Sequence, residues 1–136
     1  MVSNEVQVIV DAYTASIAPV AVQNLIENQN GSILTVTENA TADSRQWRYA
    51  STSGGPYTND IAGQTATTYT PLFPTAGTYY VVCESVLAGT NVISNEVQIN
   101  VVEFTTSITP AAVQNLVENQ TGSTLTVIES QAADSR

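Results

Sequence analysis

One stretch of this chain occurs almost twice. Ser3 to Arg45 reads SNEVQVIVDAYTASIAPVAVQNLIENQNGSILTVTENATADSR, and Ser94 to Arg136 reads SNEVQINVVEFTTSITPAAVQNLVENQTGSTLTVIESQAADSR. The offset from Ser3 to Ser94 is 91 residues, and it holds to the end without a gap. A fixed period of this size is the mark of repeated structural units, one unit per period. The 136 residues therefore hold one full period and about half of another. One period is long enough to bury a core of its own.

Substitutions between the two copies sort inward from outward positions. Val6, Val8 and Val10 become Val97, Ile99 and Val101, all still β-branched, whereas Ile9 becomes Asn100. That pattern predicts a half-buried strand over Ser3–Val10 and again over Asn91–Val102. Leu34 and Val36 recur as Leu125 and Val127, while Ile33 becomes Thr124 and so faces out. Tyr13–Ile17 reads as a short strand ended by Pro19, Ala21–Leu25 as its resumption, and Ser32–Glu38 as the strand after an Asn-Gln-Asn-Gly turn.

The part present once contains Arg45–Ala50, with Arg45, Trp47 and Tyr49 on one face, and a Gly-Gly-Pro loop. Short strands follow at Tyr57–Ile61 and Ala66–Thr70. Gly77–Ser85 then places Tyr79, Val81 and Cys83 on one side and Tyr80 and Val82 on the other. About seven short strands with closely spaced turn signals and no helical period predict an all-β antiparallel sandwich. Its expected core is Leu34, Val36, Trp47, Tyr79, Val81, Val97 and Ile99, joined by Tyr49 and Tyr69.

Charge and composition narrow the function. The net charge is −9, with neither histidine nor lysine; Arg45, Arg48 and Arg136 are the basic residues. Such a surface repels phosphate backbones and anionic lipid, so no nucleic acid and no membrane insertion are expected. Without histidine there is no Ser-His-Asp triad, no Cys-His pair and no imidazole metal site. The twelve carboxylates are scattered singly, with no pair set across a cleft and no compact calcium loop. No catalytic, cofactor-binding or metal residue is therefore expected. The best polar constellation, Asp43-Ser44-Arg45 and its copy Asp134-Ser135-Arg136, reads as a turn in which Asp43 accepts backbone hydrogen bonds. Cys83 is single and expected to be a small buried hydrophobe. Met1 leads into a polar strand and not into a basic and then apolar segment, so an export signal is expected upstream.

Trp47 followed by Gly77-Thr78-Tyr79-Tyr80-Val81-Val82-Cys83 resembles the immunoglobulin-like fold. The resemblance implies that Trp47 lies on the third core strand and that Tyr79 is a tyrosine corner. The positions of the usual disulfide then fall on Val36 and Val81, so apolar packing replaces the bridge. The segments WRYASTSGGPYT, QTATTYTP and AGTYYVVC are similar to the Ig-like repeats of large secreted or cell-surface proteins of Bacteroidota. In that frame residues 11–102 form a complete domain, residues 1–10 the last strand of a preceding repeat, and residues 103–136 the first strands of a following one. Val10-Asp11-Ala12-Tyr13, and again Val101-Val102-Glu103-Phe104, is a hinge without Gly or Pro, which implies a semi-rigid string of domains.

The resemblance implies a non-catalytic, extracellular repeat of a surface fibre or adhesin stalk whose partners are neighbouring repeats. The alternative is an Ig-like module that binds a glycan or a surface protein through loops at one end. Either copy of the flanking strands can complete the Trp47–Gly89 block, in cis or from another chain, so strand exchange into a homopolymer is also open to this sequence.

Overall fold

The computed structural model describes residues 1–130, and these contain strands and no helix. Strands β1 (Ala15–Ala18), β3 (Leu34–Glu38) and β6 (Thr68–Tyr69) form one antiparallel sheet, in the order β1-β3-β6. The second sheet has the order β2-β9-β7-β4-β5, built from β2 (Gln23–Ile26), β9 (Val97–Val102), β7 (Gly77–Leu87), β4 (Ser44–Ala50) and β5 (Asn59–Asp60). Strand β8 (Thr90–Ile93) extends it by a hairpin onto β7.

The two sheets face each other across one core. Ile17, Leu34, Val36 and Tyr69 come from the first; Leu25, Trp47, Val81, Cys83, Val97, Ile99 and Val101 come from the second, and Phe73 from the loop between β6 and β7. Strict alternation on β3 and β9 feeds this core, since a strand sends every second side chain to one face. The architecture is an immunoglobulin-like β-sandwich. The Tyr79 hydroxyl donates to the Thr75 carbonyl at 2.8 Å, four residues upstream at the start of the long sixth-strand equivalent, which is tyrosine-corner geometry.

Two details differ from a purely antiparallel reading with a simple inside and outside. Strand β2 pairs β9 in parallel, with Gln23 opposite Ile99 and Leu25 opposite Val101. Pro19 to Val22 carry the chain from the first sheet to the edge of the second, where it meets β9 running the same way. Val82 lies on the outer face yet is fully buried. It sits in register with Arg48, which pairs with Asp60 at 2.8 Å and Glu84 at 2.5 Å. The long arginine stem shields apolar surface while its head stays polar.

The flanks behave differently from the sandwich. Ser3–Val10, expected as a strand, has no regular structure, and Val6, Val8, Ile9 and Val10 are each more than 70% exposed. Its copy β9 is a strand because β7 and β2 supply hydrogen bonds on both of its edges. Among the described residues nothing pairs with 3–10, and a lone extended segment exchanges backbone hydrogen bonds with water instead. Residues 106–129 do form a two-stranded sheet, β10 (Thr106–Thr109) with β11 (Thr126–Glu129), in the register of β1 with β3. Ile108 faces Val127 as Ile17 faces Val36. The counterpart of β2, Gln114 to Val117, is not a strand. A β2 needs a β9 beside it.

Candidate functional site at the repeat seam

The expected core residues meet in one place. Leu34, Val36, Trp47, Val81, Val97 and Ile99 are buried together, with Tyr79 half-buried against them. Trp47 is wholly enclosed, donates its indole N–H to the Ala66 carbonyl at 2.8 Å and leans on Tyr69 with ring centres 5.4 Å apart. Phe73 and Tyr79 stack at 3.8 Å, and Tyr49 meets both edge-on. Phe73 is absent from the sequence-based core because it lies outside any strand pattern. Val36 and Val81, which the resemblance to immunoglobulin-like domains puts at the disulfide positions, are both apolar residues of the buried core.

Asp43 stabilises a turn. Its carboxylate accepts the Ala88 N–H at 2.8 Å, and its own N–H donates to the Val86 carbonyl at 2.7 Å. Arg45 turns away to Glu38, giving two bonds of 2.8 and 2.5 Å to the two carboxylate oxygens. Glu38 also accepts the Ser85 hydroxyl at 2.5 Å. The Arg45 guanidinium, opposed by burial and aided by Ser85, holds the Glu38 carboxyl below the usual carboxylate range. Cys83 is enclosed behind this group, 3.9 Å from the Ser85 hydroxyl, and burial raises its thiol. A raised, enclosed thiol is a poor nucleophile. The second constellation, Asp134-Ser135-Arg136, lies outside the described residues. Among the described residues no three of Cys, Asp and Glu gather as metal ligands.

A second polar cluster that the sequence did not disclose sits on the outer face. Glu96 accepts the Ser53 hydroxyl at 2.5 Å, the Gly54 N–H at 3.0 Å and the Tyr57 hydroxyl at 2.7 Å. It pins the loop in which Gly54 and Gly55 take positive φ of 81° and 87°, backbone that favours glycine. The Gly54 N–H, Ser53 and Tyr57 together hold the Glu96 carboxyl low; burial first and then Glu96 push the Tyr57 phenol up to about 12.

The feature that neither cluster explains is an open apolar face on residues 104–130. Ile108, Leu116, Leu125 and Val127 are 55%, 51%, 59% and 46% exposed, whereas their counterparts Ile17, Leu25, Leu34 and Val36 are 2%, 8%, 0% and 4% exposed. A groove of about 590 Å³ runs along it, lined by Ile108, Pro110, Ala112, Gln114, Leu116 and Leu125.

The groove is locally built like its closed counterpart. Gln114 accepts the Ser123 N–H at 2.6 Å as Gln23 accepts that of Ser32 at 2.7 Å. Gln120 accepts the Val117 N–H as Gln29 accepts that of Ile26. Asn119 and Asn28 share a positive φ, 68° and 63°. Even a substitution keeps its role. Asn39 accepts the Thr14 N–H at 2.9 Å, and Ser130, in its place, accepts that of Thr105 at 3.0 Å.

A family model described as Domain of unknown function (DUF8696) matches residues 15–103. No curated protein matches the chain in sequence. Among solved structures, fibronectin(III)-like modules of Clostridium thermocellum CbhA are similar at a TM-score of 0.46 and 16% identity, over 66% of this chain and 96% of that one.

Proposed function

The chain belongs to this family of domains of unknown function, and from its architecture we propose that it is a non-catalytic structural repeat of an extracellular bacterial surface fibre or adhesin stalk. The observation that carries the reading is the seam. Residues 104–130 restate the local side-chain geometry of the first strands of the sandwich, and three residues, Glu103-Phe104-Thr105, separate β9 from β10. A spacer this short and free of glycine suits units strung in an array, in which each repeat meets only its neighbours. The polar clusters support a structural role too. Glu38, Arg45, Asp43 and Glu96 each bind a loop or a strand end, which leaves their polar atoms committed to the fold.

In this reading residues 11–102 are one complete repeat, and the partners are adjacent repeats. The test is solution scattering on a protein of several tandem periods. A maximum dimension that grows linearly with the number of periods supports a stalk. A compact particle, or saturable binding of a single isolated period on a glycan array, replaces the stalk with a recognition module.

A further inference from the structure

We propose that in a stalk of such repeats, the reading on which this rests, consecutive units meet at a joint one residue wide, Glu103, whose stiffness is set by the side chain at position 130. On the upstream side the Val102 carbonyl accepts the Glu27 N–H at 3.0 Å. Glu27 is itself held, because its carboxylate accepts the Ala76 N–H at 2.7 Å. On the downstream side three successive peptide groups are tied to Ser130. Its hydroxyl oxygen accepts the Thr105 N–H at 3.0 Å, its hydroxyl donates to the Glu103 carbonyl at 3.4 Å, and its own N–H donates to the Thr105 carbonyl at 2.9 Å. A peptide group is planar, so fixing its carbonyl fixes the whole plane. The plane from Val102 to Glu103 thus belongs to one unit and the plane from Glu103 to Phe104 to the next. Between them lie only φ and ψ of Glu103. A residue with a Cβ holds these two angles to a few basins, which stiffens the joint further.

The same clamp recurs one period earlier. Glu103 corresponds to Ala12 and Ser130 to Asn39. The Asn39 amide donates to the Ala12 carbonyl at 2.8 Å and accepts the Thr14 N–H at 2.9 Å, and its backbone N–H donates to the Thr14 carbonyl at 3.3 Å. Both clamps bind the connecting segment to the unit that follows it. Asn39 and Ser130 are exposed, so core packing does not account for either side chain. They differ in reach. An amide carries its donor and its acceptor on separate atoms, whereas a hydroxyl serves both from one oxygen. The Ser130 bond to Glu103 is accordingly stretched to 3.4 Å, a length at which O–H···O bonds are weak. The clamp at Glu103 is the looser of the two, and the exchange of asparagine for serine is what loosens it.

The test is backbone amide relaxation and hydrogen exchange on the whole chain. Order parameters at residues 103–105 are expected near the rigid value of about 0.85, because each N–H follows one unit or the other. Ser130→Ala should drop Phe104 and Thr105 below about 0.6 and speed exchange of the Thr105 amide about tenfold. Ser130→Asn should instead slow that exchange about threefold, since the amide restores a short bond to position 103. Asn39→Ser should speed exchange at Thr14 by a similar factor. Order parameters that are low throughout 103–105 in the unchanged chain overturn the proposal. So does Thr105 exchange that is the same in Ser130→Ala and Ser130→Asn. The stalk reading fails separately: a compact particle by scattering with these amides protected removes the stalk and leaves the clamp, whereas a mobile segment in a particle that lengthens linearly does the reverse.

Discussion

Asn95 clamps Ile17 across the gap between the two sheets: its side-chain amide accepts the Ile17 N–H at 2.7 Å and donates to the Ile17 carbonyl at 3.2 Å. Ile17 is on β1, an edge of the first sheet, and Asn95 lies between β8 and β9 of the second. One planar amide thereby supplies the donor and acceptor that a neighbouring strand would have offered. Asn95→Ala leaves both backbone groups of a buried residue without a protein partner. The expected cost is about 1–3 kcal/mol, read as a lower denaturant midpoint at unchanged slope. An unchanged midpoint would show that water replaces the amide at no cost.

Trp47 fills the centre of the core and its indole N–H is satisfied by Ala66. Trp47→Ala opens a large cavity and strands the Ala66 carbonyl. About 3–5 kcal/mol of stability should be lost, measured by chemical denaturation. Trp47→Phe should lose less, because most of the volume is retained.

Gly31 has no room for a side chain. A Cβ there would stand 2.4 Å from the Gln23 amide oxygen, which is the acceptor for the Ser32 N–H. Gly31→Ala is expected to expel that amide and cost about 1–3 kcal/mol, the penalty for unpaired buried polar groups. The double variant Gly31→Ala with Gln23→Ala should lose less than the sum of the two single changes, as contacting residues do. Strict additivity would refute the clash.

The hairpin from β7 to β8 turns on Ala88 and Gly89, both at positive φ, 49° and 79°. Two such residues make the turn that suits β-hairpin twist, but alanine carries a Cβ that disfavours this conformation. Ala88→Gly or Ala88→Asn should therefore stabilise the protein by about 1 kcal/mol. The Asp43 bond to the backbone at 88 is kept in both variants, because it uses only the N–H. A fall in melting temperature would contradict this.

Stability should fall at both ends of the pH scale. Glu38 and Glu96 have folded carboxyl pKa values below the ordinary 4.5. Their contribution is present above the unfolded value and is lost as pH falls from about 4.5 through the lower folded values. Tyr57 is the opposite case. Its phenol is raised from 10.0 to about 12, so its contribution is complete below pH 10 and is lost as pH rises through about 12. Glu96→Gln should flatten part of the acid limb while lowering stability at neutral pH. Tyr57→Phe should remove one late-titrating phenol from the absorbance titration. An acid limb of equal steepness in Glu96→Gln would remove Glu96 from this account.

The strands of the sandwich were legible wherever two copies of a position could be compared. Leu34 with Leu125 and Val97 with Val6 keep their character, whereas Ile33 with Thr124 and Ile9 with Asn100 do not. Burial follows that division on β3 and β9. Phe73, Val82 and the Glu96 cluster were not legible. Phe73 reaches the core from a loop, Val82 is covered on the outer face, and Glu96 meets Ser53 from 43 residues away. Alternation speaks only of which face a residue is on, not of what covers that face.

The seam makes the same division within a single sequence. Gln23–Ile26 is a strand and Gln114–Val117 is not, although the two segments read QNLI and QNLV. Val97–Val102 is a strand and the matching segment after Glu5 is not. The residues alone set turns, caps and facing, because these rest on contacts within a few residues, and so both copies share them. Whether a segment becomes a strand with a buried face was decided by the presence of a neighbour. Backbone hydrogen bonds and the covering of apolar side chains both require a partner that a short segment cannot supply to itself.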